Sequence, residues 1–339
     1  MPANLTPEYK AAEEAYRSAG DPRERLTCLK EMLRTIPKHK GTEHLRADIK
    51  TRIKEVTEEI TTAKKTGARG GPPTVIRPEG AAQVALVGPP NTGKSALHAA
   101  LTGSHAESGP YPFGTQYPLP GMLPVDDVAI QLVDLPSISP LHPIPWIGNA
   151  LQPADACLLV IDLGQPGCVE AVVQAHEILA DRKVVLSPAW PADSDRVGAD
   201  EGLDPFTTVL PTAFIANKAE VIPELDDELE VLRELTDYAY PAMTTSAETG
   251  LGLDQVGRWL FERLGVVRVY TKIPGKPADM DRPFTVRRGQ TVLDVAALVH
   301  RDIAATFTYA RIWGDDSYDG QQVGRDHHVA DGDVVELHS

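Results

Sequence analysis

Gly88-Pro-Pro-Asn-Thr-Gly93-Lys94-Ser95 is the stretch that decides how the rest of this chain is read. It follows the apolar run Val84-Ala85-Leu86-Val87 and precedes a helix-compatible segment, Ala96 to Leu101. A Gly-x-x-x-x-Gly-Lys-Ser pattern between strand and helix lets backbone N–H groups close around phosphate oxygens. The lysine reaches the terminal phosphates and the serine hydroxyl can ligate Mg²⁺. The N-terminus of the following helix adds a favourable partial charge for an anion. Gly88, Asn91, Thr92, Gly93, Lys94, Ser95 and Ala96 are therefore candidate nucleotide contacts, with Lys94 as a catalytic candidate and Ser95 as a metal ligand.

Outward from that loop, residues 80–266 alternate short apolar runs with helical patterns, which predicts an α/β layer fold. Strands are expected over 83–87, 121–125, 128–133, 156–162, 212–217 and 242–246. Asp126-Asp127 should turn the second and third into a hairpin. Polar motifs end several strands: Val133-Asp134-Leu-Pro-Ser137, then Asn217-Lys218-Ala-Glu220, then Thr245-Ser246-Ala247. Open α/β sheets bind ligands at the carboxyl edge of their strands, so motifs in this order point to one nucleotide site. Residues 187–206, polar and acidic with several prolines, read as a surface insertion.

Two further units flank this domain. In residues 1–71, Leu26, Leu29, Leu33 and Ile36 form one helical stripe, and Leu45, Ile49, Ile53, Val56 and Ile60 form another. Pro37 to Gly41 separates them, so an antiparallel helix pair is expected. Tyr9, Ala12 and Tyr16 suggest a short preceding helix, and Thr66 to Pro73 reads as a linker. In residues 267–339, strands are expected at Val267–Tyr270, Phe284–Val286, Tyr309–Trp313, Gln322-Val323 and Val334–Leu337. Thr291 should cap a helix from Val292 to Asp302.

Composition narrows the function classes. The chain has 339 residues, 42% hydrophobic, with a net charge of −15. That charge is uneven: +4 over 1–71, −17 over 72–266 and −2 over 267–339. An acidic middle opposes nonspecific DNA binding. No apolar run is long enough to span a bilayer, and a cytoplasmic protein without a membrane role is expected. Cys28, Cys157 and Cys168 show neither zinc spacing nor a disulfide framework. His327-His328 lacks further ligands for a metal. Asp193, Asp195, Asp200, Glu201 and Asp204 do not have the spacing of a calcium loop.

With these motifs in order, the chain resembles the Obg superfamily of GTPases, and more specifically the developmentally regulated GTP-binding proteins. Those have a helical segment, a P-loop G domain and a C-terminal TGS domain. Tyr111-Pro-Phe113-Gly-Thr115 looks like the family's switch I, with Pro120-Gly121 closing it. Arg268-Val-Tyr270-Thr271-Lys272, Tyr309-Ala-Arg-Ile-Trp313-Gly314 and Val323-Gly-Arg-Asp326-His327 look like TGS signatures. The resemblance implies that Ser95 and Thr115 ligate Mg²⁺, that Asp134 acts through a Mg²⁺-bound water, and that Thr115 also meets the γ-phosphate. It implies that Asn217, Lys218 and Glu220 read the base, with Ser246 and Ala247 closing over it. Asn91 stands where several potassium-stimulated GTPases hold K⁺. A ribosome- or translation-linked partner, met through the TGS domain and the N-terminal helices, also follows from the resemblance.

Three departures qualify this picture. The family's Asp-x-Pro-Gly reads Asp134-Leu-Pro136-Ser137, and a serine is less free in φ/ψ than the hinge glycine. Ile138 to Trp146 is proline-rich and contains no Gln to orient water, which implies slow hydrolysis. Asn-Lys-x-Asp ends in Glu220, whose extra methylene must shift the acceptor for guanine. An ATP-binding relative and a non-hydrolysing, nucleotide-stabilised scaffold are the alternatives.

Overall fold

The computed structural model describes residues 6–19, 22–37, 42–65, 72–104, 115–193, 206–222, 225–315 and 317–338. The expected Tyr111–Gly114 motif, most of the linker and most of the acidic stretch lie outside these residues.

Three helices lead the chain: α1 (Pro7–Ser18), α2 (Pro22–Thr35) and α3 (Glu43–Lys65). The Thr6 hydroxyl caps α1 by accepting from Tyr9 N, and it donates to the Thr35 carbonyl at the end of α2. The two leucine/isoleucine stripes meet Tyr9 and Tyr16 in one core, as their spacing predicts. A residue from far along the chain joins that core. Phe206 is buried there, edge-on to Tyr16, with Arg52 and Lys183 against its ring.

The central domain holds β1 (Ala82–Val87), α4 (Lys94–Thr102), β2 (Leu119–Val125), β3 (Val128–Asp134), α5 (Ile147–Leu151), β4 (Ala156–Ile161) and α6 (Cys168–Asp181). It continues with β5 (Val184–Ser187), β6 (Thr208–Ala216), α7 (Leu225–Thr236), β7 (Ala242–Thr244) and α8 (Leu253–Arg263). The seven strands run in the order β2-β3-β1-β4-β6-β5, with β7 also on β6. All pairings are parallel except the β2–β3 hairpin, which turns at Asp126-Asp127 as expected. Strand residues alternate between two cores. Val84 and Leu86 pack with α4 and α8, whereas Ala85 and Val87 pack with α6 and α7. That alternation is what a sheet covered on both faces requires.

The sheet differs from the sequence expectation at its far edge. Strand β5 was not foreseen, being only four residues long and closed by Pro188. The stretch expected at the surface contains Trp190, which is 1% exposed. Its indole N–H donates to the Thr212 carbonyl at 3.2 Å, and its ring meets Trp259 of α8 edge-on. At the opposite edge, β2 carries Pro120 and Pro124, residues that an edge strand tolerates because it needs no second ladder.

The C-terminal domain contains β8 (Val266–Lys272), β9 (Ala278–Arg287), α9 (Val292–Val299), α10 (Arg301–Thr306), β10 (Tyr309–Gly314), β11 (Ser317–Val323) and β12 (Asp333–His338). Its five strands run β11-β10-β12-β8-β9, with α9 packed on one face. Thr291 and Asp294 form a capping box at the start of α9. The single helix expected from Val292 to Asp302 is two. His300 is extended, and its ring nitrogen accepts from Asp302 N, which starts α10.

The two sheet domains are tied directly. Arg268 donates to Asp331 within its own domain and to Asp127 on the β2–β3 turn, and it lies over the Phe261 ring. The Tyr270 hydroxyl donates to Asp127. Arg287 pairs with Asp155 at 2.9 Å.

Candidate functional site

Strands β1, β3, β4, β6 and β7 point the same way, so their carboxyl ends form one edge. The motifs read from the sequence follow those ends. Two glycines fix the loop after β1. A Cβ on Gly88 would lie 2.3 Å from the Val160 carbonyl, and one on Gly93 would lie 2.4 Å from Asn217 Nδ2. Both also have positive φ, at 148° and 85°. Asn91 at the crest is exposed with φ of 64°, a left-handed conformation that asparagine tolerates.

Lys94 opens α4 and folds back beneath the loop. Its ammonium donates to the carbonyls of Gly88 at 3.1 Å and Pro89 at 2.9 Å, and to the Ser137 hydroxyl at 2.9 Å. Burial lowers its pKa to about 8, against a smaller opposing pull from Asp134.

Ser95, Thr115 and Asp134 meet although they come from three separate segments. The Ser95 hydroxyl donates to Asp134 Oδ2 at 2.6 Å, Thr115 does so at 3.2 Å, and the two hydroxyls are 2.9 Å apart. Asp134 is fully buried, and burial raises its pKa. Its Oδ1 has no hydrogen-bond partner among the described residues. A buried carboxylate with one orphaned oxygen and two hydroxyls beside it is an oxygen-donor set suited to a hard divalent cation. Elsewhere among the described residues no cluster of His, Cys, Asp and Glu could hold a metal. His328, for one, is bonded to the Gly289 carbonyl.

The remaining motif residues build the other end of the cleft. Asn217 is buried and works as a strut. Its Nδ2 donates to the Thr92 carbonyl at 3.0 Å, and its Oδ1 accepts from Ala247 N at 3.2 Å and from the Thr245 hydroxyl. The phosphate-type loop and the Ser246-Ala247 turn are thus held by one side chain. Ser246 is buried, its hydroxyl accepting from Thr249 N and its own N–H donating to the Leu251 carbonyl. Lys218, at φ of 63°, donates to Asp162 at 2.7 Å. Glu220 lies exposed on a short 3₁₀ turn, Ala219–Val221. Ala96 lies in the first turn of α4, half-buried.

Two participants were not foreseen. Asp162 follows β4, and its position at the carboxyl edge was the available signal. The other is the Ser137 hydroxyl, and nothing in local sequence indicates that it reaches Lys94.

Comparison with known proteins matches two parts of the chain to family models. A family model described as 50S ribosome-binding GTPase matches residues 83–187, and the TGS domain model matches residues 267–339. The chain joins a P-loop GTPase domain to a TGS domain, as the resemblance implies. Three relatives span almost the whole of it. An uncharacterized GTP-binding protein of Methanocaldococcus jannaschii is 27% identical over 93% of this chain and 92% of its own. Developmentally-regulated G-protein 1 of Arabidopsis thaliana is 28% identical over 91% and 88%. Ribosome-interacting GTPase 1 of Saccharomyces cerevisiae is 24% identical over 93% and 98%. The GTPase match runs from β1 to β5 of the seven-stranded sheet, and the TGS match covers the five-stranded one. No helix among the described residues is long and apolar enough to cross a membrane.

Proposed function

We propose that this chain binds GTP with Mg²⁺ and hydrolyses it slowly, acting as a nucleotide switch linked to translation. The observation that carries the reading is the meeting of Ser95, Thr115 and Asp134 around one buried carboxylate, beside a lysine folded under a phosphate-type loop. Lys94 would hold the terminal phosphates, and Thr92 to Ala96 would surround them with backbone N–H groups. Ser95 and Thr115 would hold Mg²⁺, with Asp134 beside them. Bound there, the ion would neutralise charge on the phosphate oxygens. Thr115 stands between the nucleotide site and β2, so its engagement would order the segment ahead of that strand.

The base would lie between Lys218 and the Ser246-Ala247 turn, with Asn217 holding both walls. The names of the relatives, GTP-binding protein and G-protein, support guanine over adenine. Glu220, exposed beside this cleft, would supply the acceptor for guanine. Asn91 would contribute to a K⁺ site at the crest of the loop. The description of the matched model and the name of the yeast relative support a ribosomal partner. The TGS domain and the N-terminal helices are the units that would meet it, and a cytoplasmic location accords with that role.

Titration with mant-GTP and mant-ATP, then phosphate release in Na⁺ and in K⁺, tests these points together. Selective GTP binding with K⁺-stimulated release is expected. Preference for ATP would overturn the guanine assignment. Release no faster than that of Lys94→Ala would overturn hydrolysis. A K⁺ response that survives Asn91→Ala would remove Asn91 from the cation site. Cosedimentation with ribosomes, stronger with a non-hydrolysable GTP analogue than with GDP, is the expected result for the partner.

A further inference from the structure

An ammonium has three N–H donors and no more. Lys94 directs all three to protein: the Gly88 carbonyl, the Pro89 carbonyl and the Ser137 hydroxyl. The side chain is buried, so a donor left unmade there is costly. For Lys94 to meet a phosphate oxygen, one of these three acceptors must give way.

The acceptors differ in how readily they can yield. Both carbonyls belong to the loop that would enclose the phosphates, and the Gly88 carbonyl also accepts from Ile138 N at 3.0 Å. Moving either one deforms the cradle. Ser137 lies beyond the end of β3, half-buried, and its hydroxyl leaves Lys94 by rotation about a single side-chain torsion. A glycine at this position, as in the Asp-x-Pro-Gly form of the motif, has no such hydroxyl.

We infer that Ser137 is a positioning residue whose hydroxyl parks Lys94 against the loop and competes with phosphate for the ammonium. Binding of a nucleoside di- or triphosphate then requires Ser137 to let go. The release occurs at the start of the proline-rich segment 138–146, whose Ile138 N–H stays bonded to the Gly88 carbonyl, so nucleotide affinity is set by a side-chain rotation without movement of that segment. The inference rests on the nucleotide-binding reading above and concerns phosphates alone, without reference to the base.

The test uses the full chain as wild type, Ser137→Ala and Ser137→Thr. Each is titrated with GDP, a non-hydrolysable GTP analogue, ATP and inorganic pyrophosphate, all with Mg²⁺. Each is also melted with and without saturating ligand. Ser137→Ala should bind di- and triphosphate about tenfold more tightly, the size of one charge-assisted hydrogen bond removed from the competing arrangement. Its Tm should fall without ligand and match wild type with ligand. Ser137→Thr, which keeps the hydroxyl, should restore wild-type values. Weaker binding of the triphosphate analogue alone would make Ser137 a γ-phosphate ligand and overturn the proposal. Unchanged affinity, or an equal Tm loss with and without ligand, would overturn it too. If wild type prefers ATP to GTP, the guanine assignment fails while the ATP series still decides Ser137. Failure of every probe, pyrophosphate included, would sink both.

Discussion

Arg268 of the TGS domain donates to Asp127 of the GTPase domain at 3.0 Å, across the boundary between two separate cores. Asp127 sits on the turn of the β2–β3 hairpin, whose strands run from the Thr115 side to Asp134. The TGS domain is therefore fastened to the element whose other end carries Asp134 and is preceded by Thr115, two of the candidate Mg²⁺ residues. Hydrogen bonds to Arg268 and Tyr270 hold the Asp127 carboxyl below its usual range, against the opposing effect of burial. Arg268→Ala should cost about 2 kcal/mol, the worth of charge-assisted bonds at a partly exposed site. Calorimetry should then resolve two melting transitions where wild type shows tighter coupling. A single, unshifted transition would mean that the pairing does not join the domains energetically.

Asn217 bridges Thr92 and Ala247 with one buried amide. Asn217→Ala leaves a carbonyl and an N–H unpaired, and should cost about 1–3 kcal/mol of stability. Because the two walls it joins are those proposed to surround phosphate and base, nucleotide affinity should fall more than with Lys218→Ala. Titration of both variants with the same labelled nucleotide checks this ordering.

Trp190 fills the space between β6 and α8, bonded to the Thr212 carbonyl and edge-on to Trp259. Trp190→Ala should cost about 3–5 kcal/mol through the cavity it leaves. Trp190→Phe should recover much of that but leave the Thr212 carbonyl short of its donor. Denaturant melts of the two variants separate packing from hydrogen bonding.

His176 is stacked against Tyr238 at 3.8 Å and bonded to the Val172 carbonyl and the Tyr240 hydroxyl. Burial lowers its pKa. Among the described residues no carboxylate is paired with the ring, and Glu177 acts on the neighbouring Tyr238. The folded state thus binds this proton less well than the unfolded chain does. Its contribution is fully present above about pH 6.5, the value of a free histidine, and is lost as pH falls through that value toward the depressed folded one. His176→Gln should flatten the stability slope below about pH 6.5. A slope unchanged from wild type would assign the acid sensitivity to other groups.

Much of the architecture was legible because it repeats at a fixed period. The stripes Leu26–Ile36 and Leu45–Ile60 form the N-terminal core, and six of the seven strands of the GTPase domain fall where apolar runs put them. The candidate site was legible as a set of strand ends. Features that depend on one side chain crossing the fold were not. Strand β5 is too short to show alternation. Trp190 and Phe206 stand in polar surroundings along the chain and are buried by partners that local sequence does not name. Asp162 reaches Lys218, and Ser137 reaches Lys94, only once β1, β3, β4 and β6 lie side by side. The helix expected through Asp302 breaks at His300 because that ring caps its successor, which no apolar spacing reports.

The prolines of β2 bear on how this molecule behaves in a crowd. A proline on an edge strand faces its missing N–H away from the ladder, so the outward row of donors along β2 is interrupted at 120 and 124. Leu119 and Met122 are exposed on the same strand, and with an unbroken donor row they would invite a second chain to pair there. Replacing both prolines with valine would convert that border into a template for intermolecular growth. The native sequence keeps the sheet finite at the edge that Thr115 precedes.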